Sequence, residues 1–333
     1  MTHAEGPPSR GRRRVIGVLG SGALLGIGGG WLVTQRAEGR AAAAEAAYPP
    51  EGRVVEVWGR RVHAVTKGAG PDLVLVHGAL GSCRDMTFGF VDRLAARYRV
   101  TAFDRPGMGY SDVPDPQTGL DPDTPAAQAA LLRAAAPEFG IERPIVVGHS
   151  FGASVAVAWA LADPEGTAAL VEMAGLLLPW EGPNNLLFRV NGSALGGAVV
   201  APLLAALAPE AAVASVLGSI FAPNPVPEGY AEHIGSALSL RSEVQRINAR
   251  QVLALRPALE EMRQAYPSLA MPVEIVQGTA DEITAGLTQA EGFAALVTGA
   301  GLTVLEGVGH MPHHADPEAV IAAIDRARSR AGL

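Results

Sequence analysis

The chain has 333 residues, 48% of them apolar and 18% charged, so it can bury a sizeable core and disorder of the whole chain is excluded. Its net charge of −7 argues against a nucleic-acid partner. A single cysteine, Cys83, excludes an internal disulfide framework and a Cys-based zinc site, and the 40 glycines follow no collagen-like period.

Charge is unevenly placed along the chain. Residues 1–40 hold six Arg and two acids, a balance of +4 that leaves −11 for the remainder. Arg10, Arg12, Arg13 and Arg14 form a basic flank (1–14) before an uncharged run, residues 15–33. As a helix that run would be about 28 Å long, close to the hydrocarbon thickness of a bilayer. The spacing predicts a single N-terminal membrane anchor, with the flank cytoplasmic and the rest of the chain outside. Seven glycines and Ser21 weaken its apolar character. A cleaved export signal followed by a soluble exported protein is the alternative, with A-x-A sites near residues 41–44 and an Arg pair at 12–13. Residues 34–52, with an Ala run and Tyr48-Pro49-Pro50, read as a linker.

From residue 53 the pattern is regular. Residues 53–58 and 61–66 alternate apolar positions around Gly59-Arg60 and predict a hairpin. Short apolar runs follow at 73–76, 100–103, 145–147, 169–173, 273–276 and 302–305, each suited to a buried parallel strand. Helical spacing lies between them, as at Phe90, Val91, Leu94 and Ala95. The last helix carries Val320, Ile321, Ile324 and Ala327 behind Asp316-Pro317-Glu318, a start signal. This alternation predicts an α/β fold with a mostly parallel, doubly wound sheet, built from residues 53–174 and 271–333. Residues 175–270 contain no strand pattern and predict an inserted helical cap. Residues 186–221 within it also admit a reading as a helix lying on a membrane.

Gly148-His149-Ser150-Phe151-Gly152 is a G-x-S-x-G element between a strand and a small-residue helix. That setting makes Ser150 a candidate nucleophile on a tight turn, with Gly148 and Gly152 removing side chains that would collide with neighbouring backbone. A serine hydroxyl needs a base held by a third group. Asp281 follows the strand at 273–276 and His310 follows the strand at 302–305. Loops at the carboxyl ends of parallel strands converge, so Ser150, Asp281 and His310 are expected to meet. Glu282 is the competing acid. His313 and His314 are expected as surface or loop residues rather than as metal ligands with His310, and His149 as a packing or hydrogen-bonding residue. The N–H groups of Phe151 and Ala79 are the candidate oxyanion donors, the latter in the loop His77-Gly78-Ala79-Leu80-Gly81 that His77 would fix.

Four motifs taken together resemble the α/β-hydrolase superfamily, in its capped branch with an H-G-x-x-G oxyanion loop. They are H-G-x-x-G at 77–81, Asp104-Arg105-Pro106-Gly107-x-Gly109-x-Ser111-Asp112, G-x-S-x-G at 148–152, and the pair ending in Asp281 and His310. The resemblance covers residues 53–330 and implies an α/β-hydrolase fold with an inserted helical lid. Serine at the elbow sets the chain apart from dehalogenases and epoxide hydrolases, which carry Asp there. The implied activity is that of a serine hydrolase, most of all a carboxylesterase, needing no metal or organic cofactor, and the Leu-, Val- and Ala-rich cap suggests an apolar ester of small to medium size. C–C bond hydrolases, lactonases and cofactor-free haloperoxidases share the same triad. A binding protein without turnover is the alternative from another class, and no triad residue is missing.

Overall fold

The computed structural model describes the backbone of residues 10–333 and the side chains of residues 29–333 apart from Thr118. Eight strands form one sheet: β1 (Arg53–Val57), β2 (Arg60–Lys67), β3 (Asp72–Val76), β4 (Arg99–Phe103), β5 (Ile145–His149), β6 (Ala169–Met173), β7 (Val273–Gly278) and β8 (Gly301–Leu305). Their spatial order is β1-β2-β4-β3-β5-β6-β7-β8, with β1, β2 and β4 paired antiparallel and the rest parallel. The central strands are mostly apolar because helices cover both faces.

The helices ahead of the cap are α1 (Arg10–Ala47), α2 (Cys83–Thr87), α3 (Phe90–Leu94), α4 (Pro125–Ala135) and α5 (Phe151–Ala162). The cap holds α6 (Leu186–Gly192), α7 (Ala194–Leu207), α8 (Glu210–Phe221), α9 (Tyr230–His233), α10 (Ser236–Ser239) and α11 (Ser242–Met262). After it come α12 (Leu287–Leu296), α13 (Pro312–Ala315) and α14 (Pro317–Arg330). On one face of the sheet α4, α5, α11 and α12 close a core around Val76, Val146, Leu170 and Ile275. On the other, α2, α3 and α14 pack on Leu75, Val147, Val171 and Val276. The Asp316 side chain accepts from the Ala319 N–H, so the last helix starts where its cap signal stands.

The predicted linker is different. Residues 34–47 continue α1 instead of forming a flexible tether, and the chain leaves the helix only at Tyr48. Alanine is the best helix former, and Ala37 and Ala44 are buried. Val33 and Ala37 pack on Ala205 and Ala206 of α7. The Arg36 and Arg40 guanidinium groups donate to the carbonyls of Ala206 and Ala208 at 2.8 and 3.1 Å, satisfying the open C-terminal end of α7. Arg241 pairs with Glu45 at 2.8 Å, and Arg84 donates to the Pro49 carbonyl at 2.9 Å. The segment is thus a strap clamped to cap and core. Of the predicted flank and anchor, residues 1–9 and the side chains of residues 10–28 lie outside the described residues. Among the described residues no single helix is long and apolar enough to cross a membrane.

Candidate active site

β5 ends in a turn that places Ser150 at φ 54°, ψ −119°, directly before α5. A side chain beyond Cα at Gly152 would stand 2.2 Å from the Val76 carbonyl oxygen, and one at Gly148 would stand 2.5 Å from Ala153 Cα. Both flanking glycines are therefore demanded by close backbone approach, as the sequence pattern implied. The backbone strain at Ser150 is the kind held in place by surrounding packing at functional sites.

The turn brings three of the predicted residues together. His310 Nε2 lies 2.9 Å from Ser150 Oγ, and His310 Nδ1 lies 2.9 Å from Asp281 Oδ2. A carboxylate only accepts, so Nδ1 carries the proton towards Asp281 and Nε2 is left to receive one from the serine. All three residues are buried. Burial alone would push the Asp281 carboxyl up. Hydrogen bonds from His310, Thr284 and Gln277, with the attraction of the imidazole's protonated form, outweigh it and hold the group well below the usual carboxylate range. Glu282, the competing acid, is exposed and makes no contact with His310.

The loop after β3 runs beside the nucleophile, since a Cβ on Gly78 would lie 3.2 Å from Ser150 Cβ. His77 fixes that loop. Its Nδ1 donates to the Gly78 carbonyl at 2.8 Å and its Nε2 accepts the Arg105 N–H at 2.8 Å. Burial, reinforced by the Arg105 charge, holds His77 neutral with a pKa of about 4. The N–H groups of Ala79 and Phe151 have no acceptor among the described residues, whereas that of Leu80 is taken by Asn248 Oδ1 at 3.0 Å.

Several residues support these loops, two of them, Arg105 in the 104–112 motif and His149 in the elbow, already marked by the sequence. Arg105 is fully buried and bridges Gln128, Gln251 and the Gly78 carbonyl, with its guanidinium 4.2 Å from the Phe151 ring centre. Burial lowers its pKa to about 9, so it remains charged at neutral pH. His149 Nε2 donates to the His310 carbonyl at 2.8 Å, tying the elbow to the base. Two cap asparagines also hold the site loops: Asn248 on the β3 loop, and Asn224, whose Oδ1 accepts the Gly309 N–H at 2.9 Å. Long sequence separations hide these contacts.

His313 and His314 depart from the surface reading. His313 is buried, and the two imidazoles bond Asp85 of α2 at 3.2 and 2.8 Å while Tyr230 donates to the same carboxylate at 2.8 Å. Burial would raise Asp85, and the two histidines reverse this and hold it well below its ordinary value. His310 has both nitrogens engaged by Ser150 and Asp281, so it does not join them as a metal ligand.

A model of the alpha/beta hydrolase family matches residues 73–323. An uncharacterised protein of Mycobacterium tuberculosis is 28% identical over 289 residues, 84% of this chain and 81% of that protein. An alpha/beta hydrolase fold protein from Burkholderia ambifaria superposes with a TM-score of 0.66 at 26% identity, covering 82% of this chain and 96% of its own. A bacterial membrane phospholipase A superposes with a TM-score of 0.62 at 22% identity and covers 95% of this chain and 99% of its own. At 22% identity the second of these structures speaks for the fold alone. The chain belongs to the alpha/beta hydrolase family, and it is a hydrolase.

Proposed function

We propose that the protein is a serine esterase acting on a small to medium apolar ester. The observation that carries this reading is the 2.9 Å contact of Ser150 Oγ with His310 Nε2, at a strained turn and backed by Asp281. Ser150 Oγ attacks the ester carbonyl as His310 Nε2 takes its proton. The carbonyl oxygen becomes an oxyanion held by the N–H groups of Phe151 and Ala79. His310 then returns the proton to the departing alcohol, leaving an acyl-enzyme. Water repeats the sequence, and the acid and Ser150 are released. Asp281 keeps the imidazole in the required tautomer and balances its transient charge. The apolar acyl group is supported by α8, whose one charged residue is Glu210 and whose end at Phe221 lies beside Gly309.

We further infer that residues 15–33 tether the enzyme to a membrane with its catalytic part outside the cytoplasm. The four preceding arginines and the length of the uncharged run support this reading. The catalytic reading is tested with a fluorophosphonate probe and a panel of p-nitrophenyl esters, set beside a lactone and a vinylogous diketone. Labelling of Ser150 with turnover of apolar esters is expected. A folded protein that is neither labelled nor active on the esters would overturn it.

A further inference from the structure

We propose that the outer face of α7, together with the neighbouring turn of α1, rests in the interface of a lipid bilayer, so that the cap lies on the membrane surface. This rests on the reading of residues 15–33 as a span.

The first observation is chemical. α7 has 14 residues and no charge, yet Leu195, Val199, Leu203 and Leu207, spaced four apart, are exposed, Leu195 by 85%. A stripe of that composition along a whole helix is not what a water-facing surface carries. α6 and α7 together are apolar enough for a membrane segment but are bent by 109° at their junction. That bend suits a segment lying along a surface rather than one crossing it.

The second observation fixes where that surface is. α1 is continuous from Arg10 to Ala47, so the last turn of the uncharged run is the same turn that meets the cap. Val33 packs on Ala205 and Ala206, and Arg36 and Arg40 hold the carbonyls at the end of α7. At 1.5 Å per residue, Arg36 stands only about 5 Å along the helix from Val33. Trp31 and Leu32, each 62% exposed, lie at the point where a span would leave the hydrocarbon. Tryptophan favours that depth, and arginines just beyond it sit among headgroups. The strap therefore sets the C-terminal end of α7 at the level of the bilayer surface, and the exposed stripe on the rest of the helix continues from there. The occupant that this arrangement fits is the boundary between acyl chains and headgroups.

The test uses the full-length protein in vesicles of phosphatidylcholine and phosphatidylglycerol. An environment-sensitive fluorophore is placed at Leu195→Cys, Val199→Cys or, as a control, Val304→Cys on the edge strand β8; Cys83 is buried. Labels at 195 and 199 should shift to the blue on reconstitution and be quenched by nitroxide-bearing phosphatidylcholine, whereas the label at 304 should do neither. A chain that floats with vesicles while labels at 195 and 199 still report water would overturn the surface and leave the span standing. A chain that stays behind on flotation would overturn both. A blue shift that grows with protein concentration and escapes the lipid quencher would assign the stripe to a second copy instead.

Discussion

Ser150 sits in a backbone conformation that an alanine would keep with the same strain, and its hydroxyl is already 2.9 Å from His310 Nε2. Ser150→Ala should therefore lower ester turnover by a factor of about 10⁴–10⁶ while the melting temperature stays close to that of the wild type. Full turnover by a folded variant would remove the nucleophile from the mechanism. Asp281→Asn should cost roughly 10⁴ in turnover, because an amide offers an N–H where the imidazole needs an acceptor. Glu282→Gln, at an exposed position one residue away, should stay within about tenfold of the wild type. Stopped assays on both variants with one soluble ester decide the matter, and the reverse order would shift the acid by one residue. These positions were legible because each stands at the carboxyl end of a strand with an apolar run to mark it. His149, by contrast, shows its role only when the carbonyl of His310, 161 residues away, is found beside it.

At the scale of elements, the strands and the cap followed from periodicity, since a buried strand or amphipathic helix must write its partner's face into its own spacing. The strap did not. Residues 34–47 are alanine-rich, which favours a helix, but they carry no strong stripe, and the partner that clamps them, the end of α7, lies 170 residues downstream. The cap also holds loops of the candidate site. Asn248 accepts from Leu80 in the loop of the candidate oxyanion donors and Asn224 accepts from Gly309 beside His310, so under the proposed mechanism the cap would bear on the chemistry through those loops. Asn248→Ala should lower kcat about tenfold to a hundredfold with a smaller change in KM, because misplacing a loop donor weakens transition-state contacts above all. Asn248→Asp, which keeps an acceptor for the Leu80 N–H, should recover much of the loss. An Asn248→Ala variant with unaltered kcat would confine the cap to substrate choice.

Across the whole molecule, the centre of the sheet holds one carboxyl that no sequence pattern flags. Glu172 on β6 points into the core that α5 covers, fully buried, and neither of its oxygens has a hydrogen-bond partner among the described residues. Burial raises its pKa well above the usual glutamate value of 4.5, so the folded protein keeps the group neutral where an unfolded chain would ionise it. The folded state then binds one more proton than the unfolded state, and stability falls as pH rises through that window. Below the unfolded value the effect vanishes. Above it, each pH unit removes up to about 1.4 kcal/mol until the folded value is reached. Glu172→Gln has no proton to lose. Its melting temperature should match the wild type near about pH 4.5, and its advantage should grow as the pH rises above that. Thermal melts of both proteins across that range, with the wild type's loss at low pH from Asp281 and Asp85 common to the two, isolate the single group. A constant difference between the two curves would mean that Glu172 is ionised or paired in the folded protein, and that the core tolerates its charge.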